Sequence, residues 1–554
     1  MSTTTWGWML ITALQLTPST PLWAQHESAI RLTDVTKATG IDFVHTDGSD
    51  GQFFLIESMS AGLSLLDYDT DGDQDIYFLN GAPVQSNAQA KPASDALYRN
   101  DGNWKFTNVT TIATGGDSQL GLGIACADYD NDGFVDVYLN NYGRNVLYHN
   151  CGDGTYQELT QHAAVENGLR VGGGVSFFDM DADGDLDLYV GNYVHFEPAN
   201  HRVHVHRGLP SYPSPLSFEP DVDTLYRNQG DGTFLDVSDA AGITAVAGRS
   251  MGLATLDYDD DGDTDVFVAN DTQANFLWAN DGQGQFEEVA LFAGLAYDFK
   301  GNSQASMGVE VVDLDQDGHL DLYMTSFSEE FATFYRNLGE GLFDDASLKL
   351  GASRSTFPHV TWGVAAADWD NNATPDLLIA TGHLDPLYSQ RGGVSSTTGY
   401  RVRNLLLKNL GGGQLEDLGG DWGSGGEASE STRGLVAGDL DNDGRQDAVA
   451  LNSRRPPTIF RNESQAAHFI QLKLVGTSSN RDGLGAVIRI EQAGTEQVAL
   501  RYSGHSYQCE VPHIVHFGLG ASAAVVRVRV EWPSGSRSQF EMQPSRFQVV
   551  VEDR

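Results

Sequence analysis

Carboxylates recur in this chain at a spacing that can cage a cation. The pattern D-x-D-x-D-G-x-x-D reads Asp67, Asp69, Asp71, Gly72, Asp75 in its first copy. It returns as Asp128, Asp130, Asp132, Asp136; as Asp179, Asp181, Asp183, Asp187; and as Asp257, Asp259, Asp261, Asp265, each with Gly at the sixth position. Asp313, Asp315, Asp317, Asp321 and Asp439, Asp441, Asp443, Asp447 repeat it again, while one copy is degraded to Asp368, Asp370, Asn372, Ala373, Asp376. The seven windows hold 31 of the 76 acidic residues. Carboxylates so crowded repel one another by an amount on the order of several kcal/mol per loop unless a cation lies among them. Positions 1, 3 and 5 of such a turn point inward, Gly at 6 permits the sharp bend, position 7 offers a carbonyl and position 9 another carboxylate. Hard oxygen ligands in that order suit Ca²⁺. One acidic turn would be an ordinary solvated feature; seven at like positions make calcium the better reading. Six strong sites are expected, and a weak or empty one where Asn372 lowers the ligand charge and Ala373 resists the backbone that Gly allows.

The elements around the loops are strands. Leu63-Ser64-Leu65-Leu66 and Val175-Ser176-Phe177-Phe178 precede two of them; Ile76-Tyr77-Phe78-Leu79 and Leu188-Tyr189-Val190 follow. Short apolar and aromatic runs bounded by turn residues read as strands, so each loop joins a hairpin and the helix-flanked EF-hand is excluded. Two more segments complete each repeat. One is Leu97-Tyr98-Arg99-Asn100 and its echoes ending at Asn150, Asn228, Asn280, Asn337, Asn409 and Asn462. The other runs Phe106 to Thr110, Tyr156 to Thr160, Phe234 to Ser238, Phe286 to Ala290, Phe343 to Ser347 and Leu415 to Gly419. Four strands per repeat predict an all-β, seven-bladed β-propeller, and no repeat carries the sustained 3.6-residue period of a helical solenoid. The last repeat lacks its fourth segment, whereas Leu32-Thr33-Asp34-Val35-Thr36 stands alone near the start. Residues Arg31 to Thr36 are therefore expected to close the ring as the outer strand of the seventh blade, formed by about Val436 to Asn462.

Composition narrows the function. Lys and Arg number 33 against 76 acids, a formal charge of −43 in 554 residues, which excludes sequence-independent nucleic-acid binding. With 40% hydrophobic and 10% aromatic residues a core can form, and 62 glycines suit many tight turns. Residues 1–24 read as an export signal: the apolar run Trp6 to Leu16, the breakers Pro18 and Pro21, and Leu22-Trp23-Ala24 before Gln25. After its removal no stretch is long enough to cross a bilayer as a helix. Cys126, Cys151 and Cys509 are too few for a disulfide framework. The expected divisions are a propeller over 25–465 and a small β-sandwich-like domain over 466–554, where Phe469 to Val475, Ala486 to Glu491 and Val525 to Trp532 read as strands.

The repeats resemble the FG-GAP or VCBS class of integrin α-subunit propellers, whose calcium loops also connect blade strands. Asn480-Arg481-Asp482-Gly483-Leu484-Gly485-Ala486, His516-Phe517-Gly518-Leu519-Gly520 and Trp532-Pro533-Ser534-Gly535 look like the ASPIC/UnbV domain. A propeller followed by that domain is the arrangement of the cartilage acidic protein family and its bacterial relatives. The resemblance runs from about Ile30 to Val550. It implies a secreted, acidic, calcium-binding protein and no settled activity.

Two departures stand out: the degraded sixth loop, and an insertion between Asn192 and Asp221 carrying His195, His201, His204 and His206 ahead of Pro210, Pro213, Pro215 and Pro220. His204 and His206 would share a strand face, as a transition metal could use, but no Cys or nearby acid completes a set. A Pro-stiffened, solvated loop is the expected reading. Gly172-Gly173-Gly174 precedes a strand, not a helix, so it is no phosphate-binding loop, and Cys126 in a strand-like run reads as buried packing. No catalytic constellation emerges. The expected function is a secreted or periplasmic, monomeric binding or adhesion module for an extracellular protein or polysaccharide. The alternative is a carbohydrate-active enzyme, hydrolase or lyase, with its site at the central channel.

Overall fold

The computed structural model describes residues 30–60, 62–85, 93–351, 353–392 and 399–553; the export signal expected over 1–24 lies outside them. Seven four-stranded antiparallel units follow one another along the chain. The first is Leu63–Leu66, Asp75–Phe78, Ala96–Asn100 and Phe106–Asn108. In every unit the acidic loop connects the first two strands, so the second strand begins at its ninth position, as Asp136 does in Asp136–Gly143 and Asp187 in Asp187–Asn192. First strands are buried over most or all of their length, wholly so in Leu120–Ala127. Each packs against the first strand of the next unit, and Thr432–Gly438 of the seventh returns to Leu63–Leu66 of the first. The result is a ring, a β-propeller.

Outer strands are three residues long with one buried aromatic or Leu, such as Phe106 or Phe234, and the exposed edge is therefore short. A single helical turn follows most of them. Its first hydroxyl reaches back to the third strand: Thr110 Oγ1 accepts Leu97 N–H at 2.9 Å, Thr160 Oγ1 that of Leu147 at 2.9 Å, and Ser238 Oγ that of Leu225 at 2.9 Å. Ser347 Oγ accepts Phe334 N–H in the same way, so four of the six interior copies are outer strands plus a hydroxyl tie; Ala290 and Gly419 have no hydroxyl, and Leu277 N–H donates to Glu288 instead. The seventh unit borrows its copy from the other end of the chain. Leu32–Asp34 pairs antiparallel with Thr458–Asn462, Leu32 opposite Asn462 and Asp34 opposite Phe460, which is the closure the spacing predicts.

The C-terminal part is two sheets facing one core. Val515–Gly520, His468–Val475 and Arg546–Val551 form one; Thr495–Leu500, Val487–Gln492, Val526–Glu531 and Arg537–Met542 form the other. Val526, Val528 and Val530 point inward with Ile470, Leu472, Ile488 and Phe517, while Arg527 and Arg529 point out.

Candidate metal centres

Each acidic loop is held in shape by its own backbone. Except in the first loop, where Asp67 Oδ1 is buried without a partner, the first Asp accepts N–H groups from positions 5 and 6: Asp128 from Asp132 and Gly133 at 2.9 and 2.8 Å, Asp313 from Asp317 and Gly318 at 3.1 and 3.0 Å. The ninth Asp is a staple as well as a candidate ligand. Asp265 accepts Tyr258 N–H at 2.9 Å through one oxygen and Asn280 N–H at 2.8 Å through the other. Asp75, Asp136, Asp187, Asp321, Asp376 and Asp447 make the same two bonds. The repeat by itself marks only a further carboxylate at that position.

The asparagine that ends each third strand has a role not recognised from the repeat. Asn280 Nδ2 donates to Thr264 O in its own loop at 3.1 Å and to Met180 O in the preceding unit's loop at 2.7 Å. Asn100, Asn150, Asn228, Asn409 and Asn462 likewise reach the preceding unit, Asn100 bridging to Leu440 of the seventh. Its invariance among the seven copies was the available signal.

What the loops leave unsatisfied is the third Asp. Asp69, Asp181, Asp259, Asp315, Asp370 and Asp441 each bury Oδ1 with no hydrogen-bond partner. Asp67, Asp69 and Asp71 gather within metal-ligand reach of one another, as do Asp179, Asp181, Asp187 and Asp257, Asp259, Asp265. A buried carboxylate oxygen facing others is unfavourable unless a cation sits between them, so these residues fit a bound ion. Burial first, and neighbouring carboxylates second, push Asp128 up to about 8, Asp179 to about 7 and Asp313 to about 6. Asp265 and Asp321 reach about 8, mainly by burial. A dication reverses that preference for the neutral form.

From the third strand a basic side chain reaches the outer oxygen of the third Asp: Arg336 Nε lies 2.5 Å from Asp315 Oδ2, Lys408 Nζ 2.5 Å from Asp370 Oδ2, and Arg461 Nη2 3.6 Å from Asp441 Oδ2. The sixth loop keeps the same hydrogen-bond frame, with Ala373 held at φ +76°, strained for a residue with a Cβ.

The C-terminal sheets sit on this loop face. Arg481 Nε is 3.6 Å from Asp128 Oδ2, and Asp482 accepts Asp128 N–H at 2.7 Å. Arg489 donates to Gly318 O at 2.9 Å and Gln471 to Asp439 Oδ2 at 2.9 Å. The H-F-G-L-G run lands on the sixth loop: His516 Nε2 meets Asn371 Oδ1 at 2.7 Å, Gly520 N–H donates to Asn371 O at 2.6 Å, and a Cβ on Gly518 would overlap Asp368. In the W-P-S-G run, Ser534 and Ser536 donate hydroxyls to Glu552, which also accepts N–H from Thr477, Ser478 and Ser479.

From the same domain a turn over residues 501–511 enters the ring. Ser506 and Val309 exchange N–H···O bonds at 2.9 Å, Glu510 N–H donates to Leu63 O at 3.1 Å, and Ser176 Oγ donates to Ser503 O at 2.8 Å. Tyr507 at its tip is wholly buried on the axis among Met59, Leu122, Met251, Met307, Trp362 and Leu435, its ring 5.1 Å from that of Trp362. The central channel is filled by the chain itself.

The histidine insertion leaves the far end of Asp187–Asn192, away from the loops. His204 and His206 stand exposed on a hairpin, His201 contacts Gln52 O at 2.7 Å, and His195 lies 3.5 Å from Asp221; the four imidazoles are not brought together into one site. Cys126 is buried in Leu120–Ala127 beside Ser64, and Gly172–174 lie within the strand Arg170–Phe178.

A ring of four-stranded units with an aspartate loop between the first two strands, capped by a β-sandwich, defines a β-propeller of the acidic-repeat class. The chain belongs to the family of FG-GAP-like repeat proteins, matched over residues 67–139, 128–190, 216–268, 257–324 and 313–379, and carries an ASPIC and UnbV domain over 476–554. It is homologous to cartilage acidic protein 1 of Mus musculus, 22% identical over 78% of this chain and 64% of that protein, and of Homo sapiens, 22% identical over 78% and 62%. The chain thus spans less than two thirds of the length of those relatives. Among solved structures it is similar to an Agrocybe aegerita lectin that recognises non-reducing terminal N-acetylglucosamine (TM-score 0.36, 16% identity, 65% of this chain and 79% of that one). It is also similar to a Bacillus licheniformis rhamnogalacturonan lyase (TM-score 0.31, 15% identity, 90% and 91%).

Proposed function

We propose that this chain is an exported, calcium-loaded binding protein without catalytic activity, presenting the propeller face opposite its acidic loops to an extracellular protein or polysaccharide. The carrying observation is the buried, unpartnered Oδ1 of the third Asp in loop after loop. Calcium held by positions 1, 3, 5 and 9, with the carbonyl of position 7, would supply the missing partner. The loops beginning at Asp67, Asp128, Asp179, Asp257, Asp313 and Asp439 carry the full set; the loop at Asp368 has less ligand charge and a strained Ala373. Calcium in this reading is structural: it ties first to second strand and stiffens the platform on which the C-terminal sheets rest. The face left free carries the 193–221 insertion, and ligand recognition is assigned there. The rival reading, a carbohydrate-active enzyme, loses the open channel it requires, because Tyr507 fills it. Homology to cartilage acidic protein 1 supports export and binding in preference to turnover. Calorimetric titration of the chelator-stripped chain with calcium should count six tight sites and a weak seventh; no heat of binding rejects the calcium reading. Glycan arrays and hydrolysis assays run with calcium should give saturable binding without cleavage, and turnover would refute the non-catalytic assignment.

A further inference from the structure

The residue before each stapling Asn is Arg99, His149, Arg227, Ala279, Arg336, Lys408 or Arg461, and His149, Arg336, Lys408 and Arg461 reach a carboxylate of their own unit's acidic loop. Guanidinium, ammonium and methyl groups offer a metal no lone pair. An imidazole does. His149 Nδ1 lies 3.2 Å from Asp130 Oδ2 and 3.3 Å from Asp136 Oδ1. It is buried and aligned with neither as a hydrogen bond. One nitrogen and two carboxylate oxygens therefore converge within metal-ligand reach, at the distance of an ion pair when the imidazole is protonated. Their separations match the edge of a tetrahedron about an ion with bonds of about 2.0–2.1 Å, an edge of roughly 3.3–3.4 Å. The frame is rigid. Asp136 is held by Tyr129 and Asn150 N–H groups, and the His149 ring packs edge-on at 6.5 Å against Tyr129. Asp128 and Asp132 form a second cluster that shares Asp130 with the first.

We propose that the second loop is a mixed nitrogen–oxygen centre, built from His149, Asp130 and Asp136 with Asp128 or Asp132 completing it, that takes a transition-metal dication of the zinc or cobalt class. The inference rests on the reading of the loops as cation sites and changes the ion at one of them. Imidazole nitrogen suits Zn²⁺, Co²⁺ or Cu²⁺, whereas Ca²⁺ prefers all-oxygen cages such as the neighbouring loops. Offered calcium alone the second loop accepts it through its carboxylates; offered both, it takes the softer ion.

The full chain, stripped of metal, is reloaded in excess calcium with a few equivalents of zinc, desalted, and its metals counted. Wild type should retain one zinc, and His149→Arg, which installs the residue of the neighbouring loops, should retain none at equal calcium in the other loops. His149→Gln, which removes the nitrogen without adding charge, should lose the zinc too, so a folding defect peculiar to arginine is not mistaken for a lost site. Cobalt in place of zinc should give d–d absorption in wild type that both variants lack. Zinc absent from wild type, or retained equally by the variants, overturns the proposal. Calcium absent from all three chains overturns the calcium reading of the other loops, and the zinc counts still decide this one.

Discussion

Thr36 Oγ1 accepts the backbone N–H of Ile459 at 2.8 Å, the bond that Thr110 makes to Leu97 and Thr160 to Leu147 inside their own units. Asp34 supports it as Asp236 supports Ser238, by accepting N–H and hydroxyl of the residue two ahead. The N-terminal strand is therefore a true seventh copy, transplanted to the other end of the ring.

Removing that copy should weaken the whole ring, because the seventh unit then exposes a strand edge and both neighbours lose a packed face. Deleting residues 30–41 should lower the single cooperative melt of the propeller by many degrees. Thr36→Val, which strands one N–H, should cost about 1–3 kcal/mol in urea unfolding. A deletion that merely frays one end, with the main transition unmoved, would contradict the closure.

Asn280 ties two units through Met180 O and Thr264 O. Asn280→Ala leaves both carbonyls buried without a donor, and a loss of about 2–4 kcal/mol is expected from two such groups. Equilibrium unfolding of Asn280→Ala beside Asn337→Ala separates the bridge from the local bond, since Asn337 bonds Leu320 O of its own loop. The first variant should be the weaker.

Chelation should act on two levels. If the loops hold calcium as proposed, the ion binds the folded chain alone, and its removal should lower the melting temperature by mass action. It should also loosen the C-terminal sheets, whose Arg481, Arg489 and Gln471 bond the loops directly. Hydrogen exchange after verified metal removal should rise at residues 478–489 before it rises in the buried first strands. Uniform exchange in both regions would separate docking from metal.

Glu552 gives a pH signature. Burial opposes its charge, but N–H groups of Ser479, Thr477 and Ser478 and the Ser534 hydroxyl hold it down to about 2, against 4.5 when unfolded. With the folded value below the unfolded one, its stabilisation is full above about pH 4.5 and disappears as pH falls toward 2. Glu552→Gln should lower stability near neutrality and flatten that acid limb. An unchanged slope between pH 4.5 and 2 would remove Glu552 from the account.

The amino-acid sequence by itself determined the repeat: aspartate loops, four strands to a unit, the orphan N-terminal copy and the β character of the tail. Those features are local. A strand, a turn and the carboxylates of one loop all lie within a few tens of residues, and repetition makes their pattern legible. Tertiary structure alone decided where the tail goes. Nothing in Arg501 to Val511 announces that Tyr507 will fill the ring, or that His516 will meet Asn371, because those contacts join surfaces far apart in the chain, each of which reads as an ordinary strand or turn in isolation. The stapling asparagines lie between these extremes. Their recurrence is visible in the repeat, but their partner belongs to the preceding unit, and only the circular packing of one unit on the next brings Asn280 to Met180 and Asn100 back to Leu440.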